Sequence, residues 1–253
     1  METTKDAFLD NAFTVLQPAQ DGHRAGMDAL MLASTVPSTF AGRIADFGAG
    51  CGVAGMAVAC RCPNLTVDLI ERDAEMAKLA LQSIELPENK DIRGRLNIIQ
   101  ADLTDREKER VSNGLKAVAY EAIIANPPFN DENHRRSPVN RRSDAHHLQK
   151  GDLEKWVRTA SSCLKGKGTF TLIVRPSMLS ELLGALAAAF GSIVILPIHP
   201  KIVDPASRII VSARLGARGA LKILPAFILH EASGSFTDMA DAIFKGQDGI
   251  SLA

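Results

Sequence analysis

The chain has 253 residues, enough to bury a substantial core in one α/β domain. Lysine plus arginine (29) equals aspartate plus glutamate (29), so no global positive field draws in phosphate, and any such attraction has to come from local clusters. The opening residues METTKDAFLDNAF carry Asp6 and Asp10 and no apolar segment, so no secretory signal is expected and the expected location is cytoplasmic.

Residues 1–42 read as a lead-in and residues 43–253 as a core with its carboxyl-terminal elements, all in a single domain. Short apolar, β-branched runs predict strands at 43–48, 66–72, 96–103, 120–126, 168–175, 192–199 and 208–215. Between them, apolar residues three and four apart predict helices at 53–62, 74–86, 152–164 and 177–190. This alternation calls for a parallel sheet with helices on both faces. Residues 200–207 leave no room for a crossover helix, so the last two strands pair antiparallel. The expected fold is therefore α/β, a doubly wound sheet of seven strands, mostly parallel with a final antiparallel strand. A further strand at 221–230 and a short helix at 239–244 follow. The uncharged run 182–198 contains Gly184, Gly191 and Pro197 and is shorter than the roughly 20 residues of a membrane span, so no membrane association is expected.

Cys51, Cys60, Cys62 and Cys163 follow neither a disulfide framework nor paired CxxC spacing, and read as free thiols. His146 and His147 are adjacent, with His134 nearby, but adjacent side chains diverge on a regular element, so no metal site is expected.

The segment Asp46-Phe-Gly-Ala-Gly-Cys-Gly52 falls where the first core strand gives way to its helix, so Gly48, Gly50 and Gly52 let the backbone approach a ligand there. Gly50, Gly52 and Gly55 also satisfy the dinucleotide spacing GxGxxG, with Glu71 where a ribose-binding acid belongs, so a nicotinamide-dependent oxidoreductase is a competing reading. Asp46 separates the two. A carboxylate at the mouth of the loop repels a pyrophosphate but attracts the sulfonium and ammonium groups of S-adenosyl-L-methionine. Glu71 has two oxygens for two ribose hydroxyls, and Asp102, near the end of the third strand, is placed to accept from the adenine amino group. Each acid alone is also an ordinary loop acid or helix cap; three at successive strand ends make a ligand-binding edge.

After the apolar run 122–125 the chain turns abruptly to Asn126, Pro127, Pro128 and Phe129, then to polar residues. Two prolines remove two backbone donors and stiffen the turn, which leaves carbonyl acceptors in command of its surface. An exocyclic amine is a poor nucleophile because its lone pair is delocalised. Hydrogen bonds from its N–H groups to the Asn126 side-chain oxygen and the Pro127 carbonyl favour the attacking geometry, and in-line positioning then matters more than a strong base. Phe129 is an aromatic residue in a polar loop, suited to stack on an extruded base or, more blandly, to anchor the loop.

On DFGAGCG and NPPF together, the chain resembles the class I methyltransferases that act on planar amino groups. Within that superfamily it is most similar to the bacterial valine-tRNA adenine-N6 methyltransferases, through residues 17–33 (QPAQDGHRAGMDALMLA) and through Leu229-His-Glu231 with Gly234-Ser-Phe-Thr237. The resemblance implies the seven-stranded methyltransferase sheet, S-adenosyl-L-methionine as cofactor, and an RNA substrate, a tRNA modified at the adenine next to the anticodon. It also implies that Arg24 and Asp28 lie by the cofactor pocket. Asn126 belongs to the reaction centre and borders that cofactor pocket, but its side chain is assigned to the target amine and not to the methionine or adenosine portions of the cofactor. Arg135, Arg136, Arg141 and Arg142 follow the reaction loop closely and are suited to phosphate contacts, although Asp131, Glu132 and Asp144 dilute the cluster. A protein glutamine N5-methyltransferase and a guanine-N2 methyltransferase of ribosomal RNA share this chemistry. The first normally has tyrosine where this chain has Phe129, and the second typically carries a duplicated domain. A noncatalytic RNA-binding module of the same fold leaves Asn126 without a purpose. The sequence does not specify an oligomeric state.

Overall fold

A computed structural model describes residues 2–19, 26–128, 149 and 151–252. The chain begins with an antiparallel hairpin of β1 (Thr3–Phe8) and β2 (Phe13–Pro18). The main sheet follows in β3 (Gly42–Phe47), β4 (Leu65–Glu71), β5 (Leu96–Gln100), β6 (Tyr120–Ala125), β7 (Leu164–Val174), β8 (Phe190–His199) and β9 (Arg208–Leu215). Two short strands, β10 (Lys222–Ile223) and β11 (Phe227–Ile228), both run along β8. The spatial order is β10-β8-β9-β7-β6-β3-β4-β5. β3 to β7 are mutually parallel where they pair, and β9 lies antiparallel between β7 and β8. The doubly wound α/β sheet with an antiparallel final strand is thus the one the element order predicts.

The helices are α1 (Met27–Ser34), α2 (Val53–Arg61), α3 (Ala74–Ile84), α4 (Glu107–Ser112), α5 (Asp152–Cys163), α6 (Leu179–Leu186) and α7 (Asp238–Phe244). Strand alternation divides the sheet's apolar residues between two cores. Ile44, Val67, Leu69, Ala122 and Ile124 pack with α1, α2 and the hairpin, while Ala45, Phe47, Ile70, Ile123 and Ala125 face α5 and α6.

Several elements differ from the sequence reading, which has no counterpart for α4 and starts β7 later, at 168. The lead-in forms the β1–β2 hairpin, docked by Asn89, whose side chain exchanges hydrogen bonds with both backbone groups of Thr14 (2.9 and 2.7 Å) and donates to the Ser83 carbonyl. The strand expected at 221–230 is broken into β10 and β11 at Leu224-Pro225-Ala226, because proline cannot donate to the ladder. The helix expected at 177–190 is shorter, since Pro176–Met178 forms a 3-10 turn before α6 and the chain leaves the helix at Ala187.

At the amino-terminal side of the sheet, Asp68 is buried and receives Nε and Nη2 of Arg43 at 2.8 and 2.9 Å and the Tyr120 hydroxyl at 2.6 Å. Burial and the Asp68 carboxylate push the Tyr120 hydroxyl's pKa far up, so it remains a donor. This network joins β3, β4 and β6, the three strands that carry the loops described next.

Candidate active site

The loop between β3 and α2 is held by the neighbouring strand: Gly48 and Ala49 both donate to the Ile70 carbonyl, at 2.9 and 3.0 Å. Gly50 has φ +56°, and a Cβ built there meets nothing within 4 Å, so this backbone borders open space that a ligand can approach closely. Gly55 serves the opposite purpose. A Cβ there would sit 2.2 Å from Leu69 Cδ2, so its absence lets α2 lie close against β4.

Asp46 is not at the mouth of the loop, as expected from the sequence, but beneath it. It is 2% exposed, and its Oδ2 accepts from the Gly55 N–H at 2.8 Å. The reason is strand alternation: Asp46 shares the parity of Ile44 and so points into the α2 side of the sheet. Burial pushes its carboxyl up, the Gly55 N–H opposes this and the charge of Glu71 adds to it, with the result that the pKa is raised to about 7.

Glu71, the last residue of β4, bridges two backbone donors: Oε2 accepts from Gly50 N and Oε1 from Asp73 N, both at 2.8 Å. Each oxygen retains a lone pair, so the carboxylate is oriented beside the open face of Gly50. Asp102 follows β5, and its Oδ1 accepts from the amide and hydroxyl of Thr104, both at 2.8 Å, with Arg72 at 3.4 Å from Oδ2. Burial alone raises its pKa, but the Thr104 bonds and Arg72 outweigh it and hold the group below the usual carboxylate range. Asp102 is therefore an ionised acceptor.

Asn126 follows β6, at the carboxyl edge between the glycine loop of β3 and the end of β7. Its side-chain Oδ1 is buried and has no hydrogen-bond partner among the described residues. An acceptor left in that state costs stability, so an orphan here marks a place where a donor is expected to arrive. Pro127 and Pro128 follow without N–H groups to satisfy it.

Asp28, in the first turn of α1, meets Arg208 at the start of β9, with Nε to Oδ2 at 2.7 Å. The pair spans 180 residues of sequence and brings the lead-in to the same carboxyl edge. Sequence reasoning misses Arg208, because a single arginine opening an apolar strand has no motif to distinguish it. By register, Val174 faces Ile209, so Arg175 and Arg208 follow side by side across β7 and β9. Arg24, Phe129, Arg135, Arg136, Arg141 and Arg142 lie outside the described residues, as do His134, His146 and His147.

The glycine loop, Glu71, Asp102 and the Asn126 acceptor thus gather at the carboxyl edge of a sheet of the S-adenosylmethionine-dependent methyltransferase type. The sequence model of the methyltransferase small domain matches residues 24–202, and the chain belongs to that family. Over 95% of this chain and 97% of the relative, it is 27% identical to a tRNA1(Val) (adenine(37)-N6)-methyltransferase of Pedobacter heparinus. A protein of the same description from Dyadobacter fermentans is 29% identical over 66% of this chain, which spans 64% of that relative's length. A solved structure from Agrobacterium tumefaciens, described as a predicted O-methyltransferase, is 37% identical and superposes with a TM-score of 0.77 over 88% of this chain and 98% of its own.

Proposed function

We propose that this methyltransferase uses S-adenosyl-L-methionine to methylate the exocyclic N6 of an adenine in RNA, with the anticodon-adjacent adenine of a valine tRNA as its substrate. The observation that carries this reading is the Asn126 side-chain oxygen, buried and without a hydrogen-bond partner among the described residues, which is suited to accept an N–H from an amino group. The relatives named for adenine-N6 methylation support the substrate.

The residues around the loop fit such a cofactor. Glu71, with a lone pair left on each oxygen, is suited to the ribose hydroxyls, ionised Asp102 to the adenine amino group, and the open backbone at Gly50 to close approach. Asp46 contributes negative charge from below, and Arg24 and Asp28 complete the cofactor side of the proposal. The cofactor supplies a methyl group activated by its sulfonium.

This chain's residues do the rest. Asn126 Oδ1 and the Pro127 carbonyl accept the two N–H bonds of the amine and direct its lone pair along the line of attack. As the nitrogen gains positive charge, those fixed acceptors interact more strongly than with the neutral amine, so they lower the barrier rather than merely holding substrate. The resulting cation is acidic and gives its proton to water. Phe129 stacks on the extruded base, and Arg135, Arg136, Arg141 and Arg142 hold flanking phosphates.

The test is single-turnover transfer of labelled methyl to unmodified tRNA, with the product nucleoside identified by mass spectrometry. Asn126→Ala is expected to lose about a hundredfold or more in rate, on the order of 3 kcal/mol, while cofactor affinity measured by calorimetry is retained. Near-normal transfer by Asn126→Ala would remove the acceptor mechanism. A methylated hydroxyl or a methylated protein glutamine in place of N6-methyladenosine would remove the substrate.

A further inference from the structure

One helix behind the candidate active site braces the turn that carries Asp102. Asp105 N donates to the Asp102 carbonyl at 3.2 Å, so residues 102–105 form a turn with the Leu103–Thr104 peptide at its centre. The carbonyl of that peptide accepts from the Thr159 hydroxyl of α5 at 2.7 Å, in a buried contact between residues 56 apart in sequence. A trans peptide is planar, and its C=O and N–H point in opposite directions. With the carbonyl held from α5, the Thr104 N–H is turned towards Asp102, where it donates to Oδ1 at 2.8 Å. Two hydrogen bonds and one rigid plane therefore connect Thr159 to the carboxylate.

The helix itself does not require this contact. A serine or threonine inside a helix often returns its hydroxyl to a carbonyl three or four residues back. Ser161 and Ser162 do so in α5, donating to Arg158 O and Thr159 O at 2.7 and 2.9 Å. Thr159 is 1% exposed and donates outward to a different element. About one turn earlier on the same face of α5, Trp156 closes the space beneath Gly48. A single helix thus backs both the glycine loop and the Asp102 turn.

The carboxylate that results has one oxygen occupied and the other directed. Oδ1 takes both the amide and the hydroxyl of Thr104. Oδ2 has Arg72 Nη1 at 3.4 Å, a long contact that leaves it acceptor capacity for an incoming N–H. Burial pushes the Asp102 carboxyl up, and the Thr104 N–H is first among the contacts that bring it below the usual range. Turning that N–H away would weaken the direction of the carboxylate and its charge together.

Resting on the assignment of Asp102 to the adenine amino group, we propose that Thr159 is a positioning residue of the cofactor site. Through the Leu103–Thr104 peptide it aims the Asp102 carboxylate at that amino group, and so contributes to selecting the cofactor by its base. Thr159 acts through Asp102 and touches no part of the cofactor itself.

The test measures binding to the full chain by calorimetry for two ligands, S-adenosylmethionine and its analogue with hydrogen in place of the adenine amino group. Thr159→Val removes the hydroxyl at nearly constant shape, Thr159→Ser keeps it, and Asp102→Ala removes the carboxylate. The valine variant is expected to bind S-adenosylmethionine about tenfold more weakly than the parent, the scale of one weakened hydrogen bond to a charged group, and the serine variant to match the parent. The analogue offers Asp102 no N–H, so all four proteins are expected to bind it alike. Thr159→Ala also lacks the hydroxyl, and it keeps the comparison decisive should the valine variant not fold. A loss that is equal for both ligands would overturn the positioning role and leave Thr159 as support of the fold. Unchanged affinity for S-adenosylmethionine without the hydroxyl would overturn it too. If Asp102→Ala binds S-adenosylmethionine as the parent does, and the parent binds both ligands alike, the adenine assignment falls and the role of Thr159 with it.

Discussion

At the scale of single residues, the proposed cofactor site couples binding to protons through Asp46. Its carboxyl is raised to about 7 by burial, so near neutral pH the ligand-free protein holds it partly protonated. A cation above it favours the charged form, and affinity for S-adenosylmethionine is expected to fall roughly tenfold between pH 7.5 and pH 6. Asp46→Asn flattens that profile; an identical slope in the variant, read by calorimetry, would exclude Asp46 as its source. Stability moves the opposite way. The folded state keeps a proton that the unfolded chain, with an ordinary carboxyl, gives up above about pH 4, so stability contributed by this site declines as pH rises towards 7 and is lost above it. Asp46→Asn keeps an acceptor for Gly55 and avoids that loss, which is at most about 4 kcal/mol. The variant is expected to melt higher than the parent at pH 8, with the gap narrowing as pH is lowered.

At the scale of elements, β3, β4 and β6 were legible because each is a short apolar run ended by a residue of contrasting chemistry: Asp46-Phe-Gly, Glu71-Arg-Asp, Asn126-Pro-Pro. The β1–β2 hairpin was not, because its turn Leu9-Asp10-Asn11 holds three consecutive positive φ angles without a glycine, the usual signal for such a turn. Asp46 was identified but placed on the wrong side of its loop, although the alternation of β3 contained the answer. Arg208 carried no signal at all, since its partner Asp28 is a long-range product of folding. The strand ends are held in register by the Arg43–Asp68–Tyr120 network at the opposite edge. Arg43→Met leaves the Asp68 charge buried with one partner fewer, and is expected to cost up to about 3 kcal/mol, with a fall in melting temperature of roughly 5 to 10 °C. Adding Asp68→Asn should return most of it; if the double variant melts no higher than Arg43→Met, the cost lies in packing and not in charge.

At the scale of the whole molecule, a net charge of zero means that RNA affinity, on the proposal above, depends on where the cations sit. Replacing Arg135, Arg136, Arg141 and Arg142 by glutamine is expected to weaken tRNA binding and to flatten its dependence on salt by roughly 0.7 to 0.9 in log-log slope for each phosphate no longer neutralised. A filter-binding titration across salt concentrations measures this. An unchanged slope would reduce the cluster to ordinary surface charge, and a change in cofactor affinity would point to misfolding.

The chain contains one tryptophan, and it stands directly behind the cofactor loop: a Cβ on Gly48 would lie 2.5 Å from Trp156 Cη2, and the indole is 7% exposed. The molecule therefore carries its own optical probe at the loop proposed to hold the cofactor. Tryptophan emission, uncluttered by other indoles, should report filling of the cofactor site in real time and separate that event from RNA arrival without any label.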